Sequence, residues 1–345
     1  MSENIVENEQ LTALIQKGGS GNKIYCMSDR IPNAGPKGVS FFDPYSSCAR
    51  LYWDRFPVTS PNEDIVLIGE GRYADALLEQ ALMINVLDVS QRLSYRVFGD
   101  YEDFRRNHPF LDQICNTSEN WETRDRLMFE DRPWNDDLTV LQKADRIILC
   151  WDSQAETSQV LAQLRRYCPL EGTVYARLPP LYDGAVTFGS MEELCSPELV
   201  MHDQLDRLAK KLHEIYCDET GAGDGWDSLS AFTRRSNMAS ADHLMTKIRI
   251  LLGPEAGTVM TPDLCRRAYQ AFENADDERR DHYRRMEHER WTRFHLLNNW
   301  QYAPVRDNAK RKHPLLVPFD RLSKSDQIKD DYAWELLGPL GSRQI

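Results

Sequence analysis

The chain has no run of 18 apolar residues, which excludes a helix that crosses a membrane. It also lacks an excess of positive charge, because 54 Asp and Glu outnumber 42 Lys and Arg and give a net charge of −12. A surface of this sign repels bulk nucleic acid. The first ten residues, MSENIVENEQ, lack the basic and apolar regions of a secretory signal. We therefore expect a cytoplasmic protein that binds neither membranes nor polynucleotides.

Closely spaced cysteine pairs are also missing. The eight cysteines, at positions 26, 48, 115, 150, 168, 195, 217 and 265, form no C-x-x-C motif, which argues against a zinc knuckle. Several lie in apolar segments, such as Cys150 in IILC. Buried thiols of this kind are typical of a reducing compartment. The sequence therefore predicts reduced cysteines and no metal site.

Recognisable motifs of catalysis are absent as well. HERWT, at residues 288–292, differs from the zinc-protease motif H-E-x-x-H, and no nucleophile elbow or Walker loop occurs. A dehydrogenase would need a catalytic His, Lys or Tyr in a substrate domain, and no motif marks one. We therefore expect a binding protein rather than an enzyme. An NAD-dependent enzyme and a protein-interaction scaffold are the alternatives.

From residue 61 to residue 200, strands and helices alternate. IVLI, at 65–68, is a short apolar run that is typical of a buried parallel strand. The residues behind it recur on one helical face, namely Ala74, Leu77, Leu78, Ala81 and Leu82. Further strands are predicted at 24–28, 95–99, 125–129, 145–151 and 173–178. This order indicates an α/β fold with a Rossmann-like, mostly parallel sheet, to which we also assign residues 1–60.

The turn between the first of these strands and its helix reads Gly69-Glu70-Gly71-Arg72-Tyr73-Ala74. G-x-G-x-x-A in this position is the dinucleotide fingerprint, whose glycines allow a tight turn and let main-chain amides approach a phosphate. The fingerprint expects a ribose-binding acidic residue about 20 residues later. Asp100 ends the second strand about 31 residues later.

The sequence thus predicts a cofactor site formed by Gly69, Gly71, Arg72 and Asp100. The cofactor itself is not identified, and NAD and an adenine nucleotide are the candidates. The alternative is a turn that serves packing alone.

From residue 201 to residue 345 the pattern is helical. Apolar residues recur at helical spacing in 205–216 and 240–253, and a long helix is predicted over 275–297. Thr261 followed by Pro262 is a typical helix start. Asn298-Asn299 predicts a left-handed stop. This third of the chain is therefore predicted to be a helical domain attached to the α/β domain.

Aromatic and cationic residues concentrate in one part of this helical region. Residues 277–324 hold twelve Lys and Arg against seven Asp and Glu, in a chain that is acidic elsewhere. Aromatic rings beside guanidinium groups are typical of a pocket that stacks a base and binds its phosphates. The alternative is that the tryptophans fill a small helical core. The residues predicted to bind the ligand are Glu287, Arg290, Trp291, Trp300, Tyr302, Arg306, Lys310, Lys312 and His313.

The same segment resembles the RyR domain, the repeat module of ryanodine receptors that also occurs in bacterial proteins. The features that carry the resemblance are EHERW in a helix, the NWQY turn, an R-D pair, HPLLVPFDRL and a trailing acidic helix. SNMASADHLMTKIRILLG is similar to the segment that precedes the bacterial versions. Residues 49–58 and the unit beginning at IVLIGEGRYADALLEQAL are similar to a Trk-type nucleotide-binding domain. Asn299 and Ala303 depart from the family, which often has glycines there.

The resemblance implies a sensor that binds a nucleotide or a nucleotide-derived signal through its RyR domain. In bacteria such modules occur in ion-channel regulation and in nucleotide-linked antiviral systems, and the sequence does not choose between these roles. A homo-oligomer or a separate effector protein are the partners that a sensor of this kind implies.

Overall fold

The computed structural model describes residues 5–19, 22–29, 36–115, 125–180, 182–221, 223–257 and 259–342. Among them is a central six-stranded sheet in which all strands are parallel, in the order β5-β4-β3-β6-β7-β8. The strands are β1 (Ile24–Met27), β2 (Val39–Phe42), β3 (Asp64–Glu70), β4 (Ser94–Phe98), β5 (Arg126–Glu130), β6 (Arg146–Trp151), β7 (Thr173–Arg177), β8 (Val186–Phe188), β9 (Gln301–Tyr302) and β10 (Lys312–His313).

Helices pack on both faces of this sheet and form much of the chain that follows it. The first ten are α1 (Ile5–Lys17), α2 (Pro44–Arg55), α3 (Arg72–Ile84), α4 (Glu102–Asn107), α5 (Leu111–Ile114), α6 (Leu138–Lys143), α7 (Gln154–Tyr167), α8 (Met191–Leu194), α9 (Pro197–Val200) and α10 (Arg207–Thr220). The others are α11 (Ala231–Asp242), α12 (Leu244–Leu252), α13 (Pro262–Glu273), α14 (Asp277–Leu297), α15 (Lys324–Ile328), α16 (Tyr332–Glu335) and α17 (Leu337–Ser342). Short 3₁₀ helices lie at Trp226–Ser228, Pro254–Ala256, Phe319–Arg321 and Lys329–Asp331.

The strand order is that of a doubly wound sheet, because the chain moves outward from β3 to β5 and then returns to continue from β6 to β8. Alternate residues of β3 face opposite sides and are buried on both. Ile65 and Leu67 join a core with α2 and α3, whereas Val66 and Ile68 join a core with α6 and α7. The predicted α/β fold with a parallel sheet is therefore confirmed.

The segment before the sheet packs against it. β1 and β2 pair with each other in a separate parallel ladder. α2 contributes to the same core as α3, and Trp53 Nε1 donates to the main-chain oxygen of Leu77 at 2.9 Å. The helix α2 thus covers one face of the sheet together with α3.

The helical region has its own core, formed mainly by α10, α12, α13 and α17. The helix predicted over 240–253 is interrupted, because α11 ends at Asp242 and α12 begins at Leu244. At the junction, His243 is fully buried and its Nε2 donates to the main-chain oxygen of Val86 at 2.8 Å. At this break, a side chain of the helical region is therefore hydrogen-bonded to the main chain of the sheet domain.

A buried ion pair also joins the two regions. Arg293 on α14 donates through Nη2 to Asp125 Oδ2 at 2.9 Å, and both side chains are almost completely buried. Asp125 also accepts N–H bonds from Gln91 and Leu93, at 2.7 and 2.8 Å. Next to the pair, Leu296 and Leu297 pack into the sheet core. α14 is therefore anchored in both regions.

Within the described residues, no helix is both long enough and apolar enough to cross a membrane. The cysteines of the same ranges form no disulfide.

Arg293→Met should strongly destabilise the protein, since it leaves the buried Asp125 carboxylate without its guanidinium partner. Removal of one member of a buried pair costs about 3–5 kcal/mol. The midpoint of urea unfolding, followed by circular dichroism, measures the loss. Arg106→Met is the matched control, because Arg106 is paired with Asp103 at the exposed surface. Such exposed pairs contribute about 0–1 kcal/mol. Equal midpoints for the two variants would contradict the anchoring role.

Candidate functional site

The long helix α14 positions the aromatic residues of the RyR-like segment. It begins after Asp276, whose Oδ1 accepts the Arg279 N–H at 2.9 Å. It ends where Asn299 takes a left-handed conformation, with φ of 61°, which asparagine tolerates better than most residues. The predicted left-handed stop is thus confirmed, although glycine is absent. The turn brings the Trp300 N–H to the main-chain oxygen of His295 at 2.9 Å.

Five rings form an aromatic cluster at this end of α14, namely Trp291, His295, Trp300, His313 and Phe232. The Trp291 and His295 ring centroids lie 3.9 Å apart. The Trp291 and His313 centroids lie 4.9 Å apart, with the two rings in an edge-to-face arrangement. Phe232, on α11, covers Trp300 at 5.0 Å. The structure therefore brings together three predicted site residues that are separated by up to 22 positions.

The two tryptophans differ in accessibility. Trp300 is only 4% exposed and packs as a core residue, as the alternative interpretation expected. Trp291 is partly exposed, and Tyr302 is 56% exposed beside His313, its partner in the β9–β10 ladder. A flat ligand could therefore stack on Trp291 or Tyr302 without unfolding, whereas Trp300 offers it no free face.

The histidines of the cluster are neutral. His295 Nδ1 donates to the Trp291 main-chain oxygen at 2.9 Å, and burial lowers the pKa of His295 to about 3. His313 Nδ1 accepts the Leu315 N–H at 3.1 Å, and burial together with the charge of Arg306 lowers the pKa of His313 to about 4. At neutral pH the cluster therefore offers rings and N–H groups but no imidazolium charge.

Of the predicted cations, Arg306 and Lys310 lie on the exposed loop between β9 and β10, and Lys312 is the first residue of β10. Arg306 Nε donates to Asn308 at 2.8 Å, Lys310 Nζ lies 3.4 Å from Asp307, and Lys312 donates to Gln301. Arg306 is near enough to the aromatic cluster to act on the pKa of both His295 and His313. Arg306 is therefore the predicted loop cation whose charge acts on the rings of the cluster.

Glu287 and Arg290 lie behind the rings in a buried ion cluster. Arg290 donates twice to Glu287, at 2.7 and 3.0 Å, and Lys247 Nζ of α12 lies 2.8 Å from the same carboxylate. Burial by itself raises the pKa of Glu287, but the charges of Arg290 and Lys247 hold it well below its usual range. These charges fasten α12 to α14. Lys247 was not predicted, and its only sequence signal is a lysine inside the apolar run of α12.

The glycine turn of the sheet domain is close-packed. A Cβ on Gly69, where φ is 153°, would lie 1.7 Å from the main-chain oxygen of Cys150. A Cβ on Gly99, directly after β4, would lie 2.0 Å from the main-chain oxygen of Gly69. Both glycines are therefore required because two main chains approach each other here.

The amides that the fingerprint offers to a phosphate are occupied by a side chain of the protein. Asp152 accepts the Tyr73 N–H at 3.1 Å and the Arg72 N–H at 3.3 Å. A Cβ on Gly71 would lie 2.7 Å from this carboxylate, and Arg72 itself pairs with Asp29 at 2.5 Å. Asp152 caps α3 where a phosphate would bind. Asp152 was not predicted, and its sequence signal is its place directly after β6.

A cleft of about 450 Å³ opens beside this turn, at the carboxyl ends of β3, β4, β5 and β6. Asp100 lines the cleft, and its Oδ1 accepts the Glu102 N–H at 3.1 Å. Glu70 also lines it and accepts the Asp100 N–H at 3.2 Å. Asp100 therefore lies where the fingerprint expects an acidic residue, and its role as a ribose contact stays a prediction.

A comparison with known protein families matches residues 271–338 to the RyR domain. The match contains α14, the β9–β10 loop and every residue predicted for the RyR-type ligand site. The RyR part of the resemblance is thereby confirmed. The matched segment excludes the sheet, whose Trk-type relation stays a prediction, as do the ligand-binding roles of the individual residues. Among the described residues, no three His, Cys, Asp or Glu side chains are grouped to hold a metal ion.

Asp152→Ala should expose the first amides of α3. Loss of a helix N-cap costs about 0.5–2 kcal/mol, so the melting temperature should fall. Inorganic phosphate should then restore part of the loss, because an anion can replace the carboxylate at the helix N-terminus. Asp152→Asn, which keeps one acceptor, is the control. If phosphate stabilises the parent protein as strongly as Asp152→Ala, the turn is open without the substitution.

The two neutral histidines should make stability depend on pH. Below about pH 6.5 the unfolded chain binds protons that folded His295 and His313 do not bind. Lowering the pH therefore lowers stability, down to about pH 4 for His313 and about pH 3 for His295. His295→Gln should reduce this loss of melting temperature between about pH 7 and pH 5, as measured by calorimetry.

His202→Gln is the control, because it removes an exposed histidine and not a buried one. Variants must be compared with the parent because other groups also make stability depend on pH. Burial raises the pKa of Asp330 to about 8, so this group makes stability increase as the pH falls. An unchanged pH dependence in His295→Gln would show that another group is responsible.

Proposed function

We propose that the protein is a ligand sensor whose RyR region binds a nucleotide or a nucleotide-derived signal. The observation that carries the proposal is the partly exposed ring of Trp291, which packs on His313 beside the exposed Arg306. A purine ring would stack on this face, and its phosphates would meet Arg306 and the cations of the same loop.

A binding role accounts for the histidines better than a catalytic one does. His288 and His295 donate to main-chain oxygens, at 2.7 and 2.9 Å. Burial lowers the pKa of His288, as it does that of His295, so both carry no charge at neutral pH. A proton-transfer residue works best with a pKa near the operating pH, and the pKa of His295 is far below it.

The helix α14 offers a route from the ligand to the rest of the molecule. Trp291 and His295 face the aromatic cluster, whereas Arg293, Leu296 and Leu297 contact the sheet domain. A ligand that shifts Trp291 would act on the buried Arg293 pair two residues away. In a signalling system, whether antiviral or concerned with ion transport, an effector would respond to that shift.

Trp291→Ala should weaken nucleotide binding while the protein stays folded. Stacking of a base on an aromatic ring contributes about 1–3 kcal/mol, or roughly five- to 150-fold in affinity. Calorimetric titration with ATP and with NAD measures the loss, and the melting temperature reports on folding. In contrast, Trp300→Ala should destabilise the RyR region, since it removes a core side chain.

Arg306→Ala should weaken binding by a factor that shrinks at high salt, because its contact with phosphate is exposed. Arg321→Ala is the matched control, as Arg321 is an exposed arginine of the same segment. If Trp291→Ala and Arg306→Ala bind both nucleotides as the parent does, the site lies elsewhere. If neither nucleotide binds the parent, mass spectrometry of nucleotides retained through purification provides the next probes.

A further inference from the structure

The cleft at the carboxyl edge of the sheet is a second candidate site, and its lining differs from that of a phosphate site. Its volume of about 450 Å³ is in the range of small-molecule pockets, which hold about 300–1,000 Å³. Phe98, Phe129 and Trp151 line it from three strand ends, and Trp134 lines it from the loop after β5. Flat apolar walls of this kind accept a planar ring.

The polar groups of the lining are mostly hydrogen-bond acceptors. Glu70, Asp100, Glu102 and Asp131 line the cleft, and none of them forms an ion pair with a cation in the described ranges. Glu130 is neutralised by Arg96 and Arg132. Carboxylates accept hydrogen bonds and donate none, so the ligand must supply the donors.

One cation of the lining remains without an ion pair among the described residues. Arg105 lines the cleft, is exposed, and lies over the Phe129 ring at 5.4 Å. A single exposed guanidinium does not offset four carboxylates, so the cleft keeps a negative potential. Aromatic faces add to this preference, because their quadrupole also attracts cations.

A buried hydroxyl of the same cleft has no partner. Tyr101 lines the cleft and is 3% exposed, and its hydroxyl has no hydrogen bond within the described part of the chain. Buried polar atoms without partners are uncommon and call for an explanation. A ligand with an N–H group would satisfy this oxygen.

The neighbouring phosphate position is closed to a ligand by Asp152, which accepts the first amides of α3. A dinucleotide placed in the cleft would bring its pyrophosphate against this carboxylate and against Glu70. Repulsion between like charges therefore disfavours the ligands for which the glycine fingerprint is known.

We propose that this cleft binds an aromatic amine, a planar ring that carries a protonated amino group and no phosphate. The ring packs between the aromatic walls, and the amino group donates to the carboxylates at the rim. This site is separate from the aromatic cluster of the RyR region and does not depend on the function proposed for it.

Tryptamine and indole-3-propionate test the proposal, since they share a ring and differ in the sign of their charge. Calorimetric titration of the full chain should show tryptamine binding about tenfold or more tighter than the acid. The double variant Asp100→Asn, Asp131→Asn should weaken tryptamine binding by about tenfold and leave the acid no weaker. Glu278→Gln, an exposed carboxylate on α14, is the control and should change neither affinity.

Tyr101→Phe separates a ligand contact from a structural role. If its hydroxyl contacts the amine, the substitution should weaken tryptamine binding several-fold without lowering the melting temperature. Trp291→Ala should leave tryptamine binding unchanged, because Trp291 belongs to the other site. The proposal is wrong if tryptamine does not bind, if the two probes bind equally, or if Trp291→Ala rather than the double aspartate variant abolishes binding.

Discussion

The buried charges of α14 are the constraint on which the rest of the structure depends. Arg293 reaches Asp125 in the sheet domain, and Glu287 reaches Lys247 in the preceding helical layer. A charge withdrawn from water is tolerated only where a partner and hydrogen bonds compensate it. Each of these groups therefore requires that α14, α12 and the sheet domain be docked together. The helix that carries the RyR motif is, for the same reason, inseparable from the domain beside it.

This arrangement supports the proposal that the RyR segment reports on a ligand. The aromatic cluster occupies one side of α14, and the next residues along the helix are fixed in the sheet core. Side chains three or four residues apart share a face, whereas those two apart point to different sides. Trp291 and Arg293 consequently contact different regions of the molecule from one rigid element. A shift of α14 at the aromatic cluster would therefore reach the sheet core, because close-packed interiors transmit strain.

The glycine turn shows how a sequence motif can be kept while its usual ligand site is altered. Gly69 and Gly99 are explained by the approach of neighbouring main chains, which any sheet of this topology would require. The amides at the start of α3 need an acceptor, and Asp152 supplies one from the end of β6. The carboxylate thus performs the electrostatic role that a bound phosphate has in nucleotide-binding relatives of the fold. The acidic, aromatic cleft next to it is suited to a different kind of ligand.

Local patterns in the sequence were sufficient for the parallel sheet, the helix starting at Pro262 and the stop at Asn299, because hydrophobic period and capping residues act over a few positions. The same reasoning placed Trp291, Trp300 and His313 in one segment but assigned similar roles to both tryptophans. Their difference arises from Phe232, which lies 68 residues before Trp300, covers that ring and leaves Trp291 partly open. The local signals of Lys247 and Asp152 do not reveal their roles, since their partners Glu287 and Tyr73 are distant in the chain. The sequence by itself determined the elements and the chemical character of the RyR segment. Only the tertiary structure decided which side chains are neutralised, covered or left accessible, because burial and ion pairing depend on residues that meet only in the folded chain.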